Sequence, residues 1–225
     1  MFDTELQDDI EFISSGGGAV SAGYFQNVGQ TRRRGLETGL DARFGGLTAR
    51  VQYSFIDATY RTGLVLNSPD NSSVQPLTCP TCTDIAVVPG NRLPGIPRNI
   101  AKLALDYRFS QRWQAGAQML GQSSFYARGD ENNQDVSGPL PGFFFLNLDA
   151  RWRPSAHWEF ALTVENAFDR AYSTFGLLSK NLFTGPSRSF DYTGTLWHSE
   201  QFRSVAAPRG FWLTASYSLT SHATD

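Results

Sequence analysis

The chain has 225 residues, with 19 Lys and Arg against 21 Asp and Glu, a net charge of −2. Its one basic run is Arg32-Arg33-Arg34, which argues against a nucleic-acid partner. No stretch of about 18 apolar residues occurs, which excludes a transmembrane helix but not a membrane strand, since a barrel strand needs only about 9–11 residues.

Taken in chain order, the segments alternate with a period of two. Leu36, Leu40, Ala42 and Phe44 share one face against Glu37, Asp41 and Arg43. Leu47, Ala49, Val51, Tyr53 and Phe55 oppose Thr48, Arg50, Gln52 and Ser54. Ala101, Leu103, Leu105, Tyr107 and Phe109 oppose Lys102, Asp106 and Arg108. Phe144, Leu146, Leu148, Ala150 and Trp152 oppose Asn147, Asp149 and Arg151. Trp158, Phe160, Leu162 and Val164 oppose Glu159, Thr163 and Glu165, and Phe211 to Leu219 closes the series. This alternation predicts strands with one apolar and one wet face. Strands of a soluble sandwich average about five or six residues. These runs are longer, as tilted membrane strands are.

The connections point the same way. Phe44-Gly45-Gly46-Leu47, Phe109-Ser110-Gln111-Arg112 and Arg153-Pro154-Ser155-Ala156 read as tight turns, whereas 64–91, 129–138 and 176–206 are long and polar. Short and long connections alternate between the two ends of a membrane barrel, and aromatics beside the short turns suit an interfacial girdle. The predicted strands are 1–5, 10–14, 24–44, 47–62, 98–109, 111–127, 142–153, 156–175 and 208–219. The fold class is therefore all-β, a transmembrane antiparallel β-barrel of about nine strands. An odd count, together with opening residues Met1 to Glu5 that hold no secretory signal, reads as a piece of a longer barrel.

Five motifs carry a family resemblance. Asn27, Gly29, Thr31, Gly35 and Glu37 stand in the stretch Tyr24 to Glu37 like a signature that recurs late in TonB-dependent receptor barrels. Tyr53 to Tyr60 is similar to the next strand of those receptors. Leu93-Pro94-Gly95-Ile96-Pro97-Arg98-Asn99 resembles their Pro-x-x-Pro-Arg-His step, with Asn99 where His is common. Asn166-Ala167-Phe168-Asp169 to Tyr172 resembles their penultimate strand, and Pro208-Arg209 onward their closing one. In those receptors the last strand usually ends on an aromatic residue, whereas here it ends at Leu219.

The resemblance implies residues 1–219 as the C-terminal portion of such a barrel of about 22 strands, with 220–225 a tail and the plug domain absent. It further implies uptake of a ferric siderophore or similar nutrient across the outer membrane of a Gram-negative bacterium. Its partners would be outer-membrane lipid and the TonB energy-coupling complex, reached through the plug. A small self-closing porin or adhesin is the alternative, and a barrel phospholipase a more distant one.

Particular residues carry further expectations. Glu37, Arg43, Arg50 and Glu165 are read as facing the lumen or plug, with Asn27 and Gly35 serving the barrel itself. Cys79 and Cys82, in the longest loop, read as a disulfide clip of an exported protein. A redox role would need a βαβ context and a zinc site two more ligands. His157, His198 and His222 show neither metal spacing nor a nucleophile–base arrangement, so no enzyme, cofactor or metal is expected. Tyr126, Arg128, Asp130 and Glu131 lead from a strand into an outer loop and are the candidate ligand-binding residues, with Arg128 suited to anionic groups of a ferric chelate. The competing reading for them is a solvated loop tip.

Overall fold

The computed structural model describes residues 1–15 and 22–219. The tail 220–225, with His222, lies outside the described residues. The strands are β1 (Phe2–Leu6), β2 (Ile10–Ser15), β3 (Ala22–Asn27), β4 (Thr31–Phe44), β5 (Leu47–Tyr60), β6 (Leu64–Asn67), β7 (Asp84–Val87), β8 (Asn99–Arg108), β9 (Trp113–Gln122), β10 (Phe143–Trp152), β11 (Trp158–Glu165), β12 (Gly176–Asn181), β13 (His198–Arg203) and β14 (Gly210–Tyr217). One sheet of eight strands, ordered β1-β4-β5-β8-β9-β10-β11-β14, forms a wall, and its described ladders are all antiparallel. The remaining strands form three separate hairpins, β2-β3, β6-β7 and β12-β13.

Register carries the two-residue alternation across the wall. Ala42, Ala49, Leu105, Ala117, Leu148, Val164 and Phe211 stand in one row from β4 to β14. On the opposite face Asp41, Arg50, Ala104, Gln118 and Asn147 form another row, with Gln52 beside Lys102. A one-residue slip would exchange the faces, so the apolar pattern itself fixes register. Among the described residues no other part of the chain covers the apolar face: Leu213 is 77% exposed. A row of that extent facing water would be an aggregation surface, and facing lipid it costs nothing. Beside the short turns its aromatics stack: Trp113 on Trp152 at 5.5 Å, Trp152 near Phe160 at 5.6 Å, and Trp158 near Tyr217 at 5.0 Å.

The structure differs from the sequence expectation in the number of wall strands and in several of their bounds. Eight strands rather than about nine make the wall. Residues 10–14 and the first part of 24–44 leave it and pair with each other as β2-β3, because the expected strand 24–44 is interrupted at Val28-Gly29-Gln30. Gly29 turns the chain there with φ +70, a conformation that L side chains rarely adopt. The expected strand 111–127 stops at Gln122 and 156–175 at Glu165, where Asn166 takes a positive φ of 47. Residues 61–63 and 218–219 likewise lie outside the strands. Short and long connections still alternate, and the long ones number four with the segment that holds β2-β3.

The buried side chains sit at the long-loop end and not along the wall. Ile13, Val28, Ala58, Tyr60, Leu66, Ile85, Val87 and Leu93 form one cluster, and Phe125, Ala127, Leu140 and Leu178 a second. Ala58 and Tyr60 belong to the polar-face register of β5. The hairpins therefore fold over that face at its outer end and make a cap.

Candidate functional site

Beyond β9 the chain keeps its alternation for a few residues. Phe125 and Ala127 turn into the second cluster, whereas Tyr126 is half-buried and Arg128 exposed. The backbone of Arg128 is tied to β12: its N–H donates to Gly176 O at 3.0 Å, and its carbonyl accepts from Leu178 N at 2.8 Å. Gly129 follows with φ +93, and a Cβ there would stand 2.9 Å from Leu178 Cβ, so only glycine fits.

From that glycine a buried polar network joins two loops. Gly129 O accepts from Ser68 Oγ at 2.7 Å and from Asn71 Nδ2 at 2.9 Å, while Gly129 N donates to Glu131 Oε1 at 2.8 Å. Asp130 Oδ1 accepts the N–H groups of Gln134 and Asp135 at 2.8 and 2.9 Å. Asp135 Oδ2 accepts from both the N–H and Oγ of Ser72 at 2.9 Å. Asn133, with φ 60, brackets the Arg92 backbone through a 2.6 Å and a 3.0 Å hydrogen bond. Such a network is stable only because nearly every buried member is satisfied. The exception is Asp130 Oδ2, which is buried with no partner among the described residues. Burial pushes the Asp130 carboxyl up to about 6 and the Glu131 carboxyl up to about 7.

Between this loop and the β2-β3 hairpin lies a cavity of about 520 Å³, lined by Ile10, Glu11, Phe12, Phe25, Pro94, Arg128 and Glu131. The hairpin is anchored at its base, where Asp9 Oδ2 accepts from Thr31 Oγ1 at 2.6 Å and from the Arg33 guanidinium at 3.0 Å. Glu11 Oε2 accepts from the Tyr60 hydroxyl at 2.5 Å. Burial raises the Glu11 carboxyl above its ordinary range, and Asp9 adds to the effect against the pull of Tyr60, Arg33 and Arg128. The Arg128 side chain makes no hydrogen bond or ion pair with the described residues; its guanidinium lies 5.9 Å from the centre of the Phe175 ring. A planar fork of donors without a protein acceptor, set beside aromatic surface, is suited to the oxygens of a ligand.

The four candidate residues are thus divided by the structure. Arg128 and Glu131 face the cavity. Tyr126 instead lies under the Arg92 guanidinium at 5.5 Å and accepts Gly95 N at its carbonyl, and Asp130 is fully buried in the loop network. Glu37, Arg43 and Arg50 stand in the polar-face register of the wall, Arg50 donating to Asp41 at 2.7 Å, and Glu165 ends β11 opposite Gly210. Cys79 and Cys82 are joined in a disulfide. His157 contacts Ser218 O through Nδ1 at 3.0 Å, and His198 lies 3.4 Å from Glu200. Among the described residues no three His, Cys, Asp or Glu are grouped to hold a metal ion. Glu11, Phe12, Phe25 and Pro94 were not expected at a site. The sequence signal for the first three was the glycine run Gly16-Gly17-Gly18, a composition that favours a turn.

Comparison with known proteins bears on what such a wall and cap belong to. A metal-pseudopaline receptor, CntO of Pseudomonas aeruginosa, is 24% identical over 155 residues, covering 67% of this chain and 18% of that protein. The siderophore receptor PiuA from Acinetobacter baumannii superposes with a TM-score of 0.62 at 18% identity, over 95% of this chain and 24% of that one. The ferric-catecholate import receptor Fiu from Escherichia coli K12 gives 0.57 at 19% identity, over 96% and 24%. The chain therefore spans about a fifth to a quarter of the length of these relatives. The β-barrel profile described as "TonB dependent receptor-like" matches residues 1–167, and the chain belongs to that family of TonB-dependent receptor β-barrels.

Proposed function

We propose that this chain forms part of the barrel wall and outer mouth of an outer-membrane receptor that takes up a metal chelate, a ferric siderophore or a similar complex, with energy delivered through TonB. The observation that carries the reading is the exposed Arg128, held by β12 and Gly129 at the edge of a cavity between two outer segments and without a protein ion pair among the described residues. Metal-chelate recognition by the CntO, PiuA and Fiu receptors supports it by analogy. The wall supports the membrane part of the reading. Its apolar face is uncovered, and the outer edges of β1 and β14 carry backbone groups without a neighbour in the sheet. In lipid each such group costs several kcal/mol, so further strands of the same barrel are expected to cover both edges, toward a total of about 22. Within the full-length receptor, residues 1–219 would be barrel, Glu37, Arg43, Arg50 and Glu165 would face its lumen or plug, and no catalytic role is assigned.

Arg128→Ala in the full-length receptor should weaken binding of a labelled ferric chelate to whole cells by about 1.5–3 kcal/mol, the worth of a charged hydrogen bond. Surface abundance measured in parallel separates binding from assembly. Wild-type affinity at normal abundance for every chelate that the receptor binds would overturn the assignment of this cavity.

A further inference from the structure

The charge of the cavity does not match a purely anionic ligand. Two carboxyl groups, Glu11 and Glu131, face one guanidinium, Arg128. Each carboxyl spends one oxygen on a protein donor, Glu11 on the Tyr60 hydroxyl and Glu131 on Gly129 N–H, and no donor among the described residues reaches Glu11 Oε1. Two partly desolvated carboxylates lining one cavity repel each other and any anion that enters, whereas a cation between them offsets both penalties. The rest of the lining suits a cation too. Phe12 and Phe25 meet edge to face at 5.5 Å, line the same cavity and are both exposed. Aromatic faces attract ammonium groups, most strongly where water is partly excluded.

Resting on the receptor reading above, we propose that the cavity receives the protonated amine of a metal chelate. The ammonium lies against Glu11, Glu131 and the Phe12–Phe25 pair, and Arg128 donates to the chelate oxygens. The ligand class is then an amine-bearing chelate, and not a fully anionic one. The pattern assigns each charge a place. Arg128 at the β12 side grips acceptor oxygens, while Glu11 from the hairpin and Glu131 from the facing loop read the amine.

Two probes that differ at one group test this: the ferric complex of a linear trihydroxamate with a terminal primary amine, and the same complex with that amine acetylated. Each is titrated against the purified full-length receptor by quenching of tryptophan fluorescence. The amine form should bind about tenfold or more tightly than the acetylated form, as expected of a charge-assisted hydrogen bond. The gap should close in Glu11→Gln and in Glu131→Gln, each checked for its heat-modifiable barrel band. Glu131→Gln retains an acceptor for Gly129 N–H, which keeps the test open if Glu11→Gln fails to assemble. Equal affinity of the two forms for the wild-type receptor, or a gap that survives in both glutamine variants, would overturn the inference. Binding of a ferric tris-catecholate alone, lost in Arg128→Ala, would overturn it while leaving the receptor reading intact. Absence of binding by all three complexes would overturn both.

Discussion

Val51 and Ile85 are both β-branched residues in strands, yet Val51 is 43% exposed and Ile85 1%. Val51 belongs to the wall, where the strands hydrogen-bond edge to edge and leave their apolar row uncovered. Ile85 belongs to the cap, where β6-β7 folds over the outer end of β5 and buries its side chains against Tyr60 and Leu66. The wall is held by ladders, and on the receptor reading its uncovered apolar face meets lipid. The cap is held by a small apolar core and by the polar network around Gly129 and Asp130. On that reading the same alternating sequence serves two solvents, and the conventional core lies in the part exposed to water.

If that contrast is correct, truncation should be severe in the cap and reversal of polarity severe in the wall. Phe125 is fully buried between Ala127, Leu140 and Leu178. Phe125→Ala should destabilise the cap by about 3–5 kcal/mol. Limited proteolysis of the full-length receptor should then cut residues 123–142 while the barrel keeps its heat-modifiable band. Loss of that band would mean that cap and wall fold as one unit. Next in size, Val51→Arg should cost about 2–4 kcal/mol near the middle of the membrane, and Gln52→Arg should be tolerated. Equal tolerance of both, scored by the assembled band, would mean that the apolar face does not meet lipid.

The wall was legible in the sequence because its period is two over eight to fourteen residues at a time and its short turns are marked by Gly45-Gly46, Ser110 and Pro154. The cap was not. Ile10 to Ile13 and Tyr24 to Phe25 are apolar enough to pass as pieces of wall strands, and nothing local says that they pair with each other outside the wall. What decides it is Gly29, whose positive φ breaks the run, and the capture of Glu11 by Tyr60 from a strand far along the chain. The site was half legible for the same reason. Arg128 and Glu131 follow from their place where a strand runs into a long loop, whereas Glu11, Phe12, Phe25 and Pro94 reach the cavity through tertiary contacts. Tyr126 shows the limit of position along the chain: it leads into the same loop as Arg128, but its ring lies under the Arg92 guanidinium.

The finest test of the contrast is pH, because the cap buries carboxyl groups that the wall does not. The sign follows from the direction of the shifts. Asp130 and Glu131 are raised by burial, to about 6 and about 7, so the open cap ionises before the closed one as pH rises. Below about pH 4 both forms are protonated and there is no penalty. The penalty grows through the ordinary carboxylate range and is complete above about pH 7. Asp135, held low by its Ser72 and Ser137 hydrogen bonds despite burial, acts oppositely but only below the ordinary range, outside this window. Hydrogen exchange of residues 123–142, corrected for its intrinsic pH dependence, should therefore show the cap looser at pH 8 than at pH 5 by about 1–2 kcal/mol, with the wall ladders unchanged. Asp130→Asn keeps an oxygen for the Gln134 and Asp135 N–H groups and removes one of the cap carboxyls that burial raises, alongside Glu131 and Glu11, so it should shrink that difference whatever it does to overall stability. A cap that exchanges alike at both pH values would show that the closed network holds Asp130 and Glu131 ionised at no cost, with ordered water supplying the missing partner of Asp130 Oδ2.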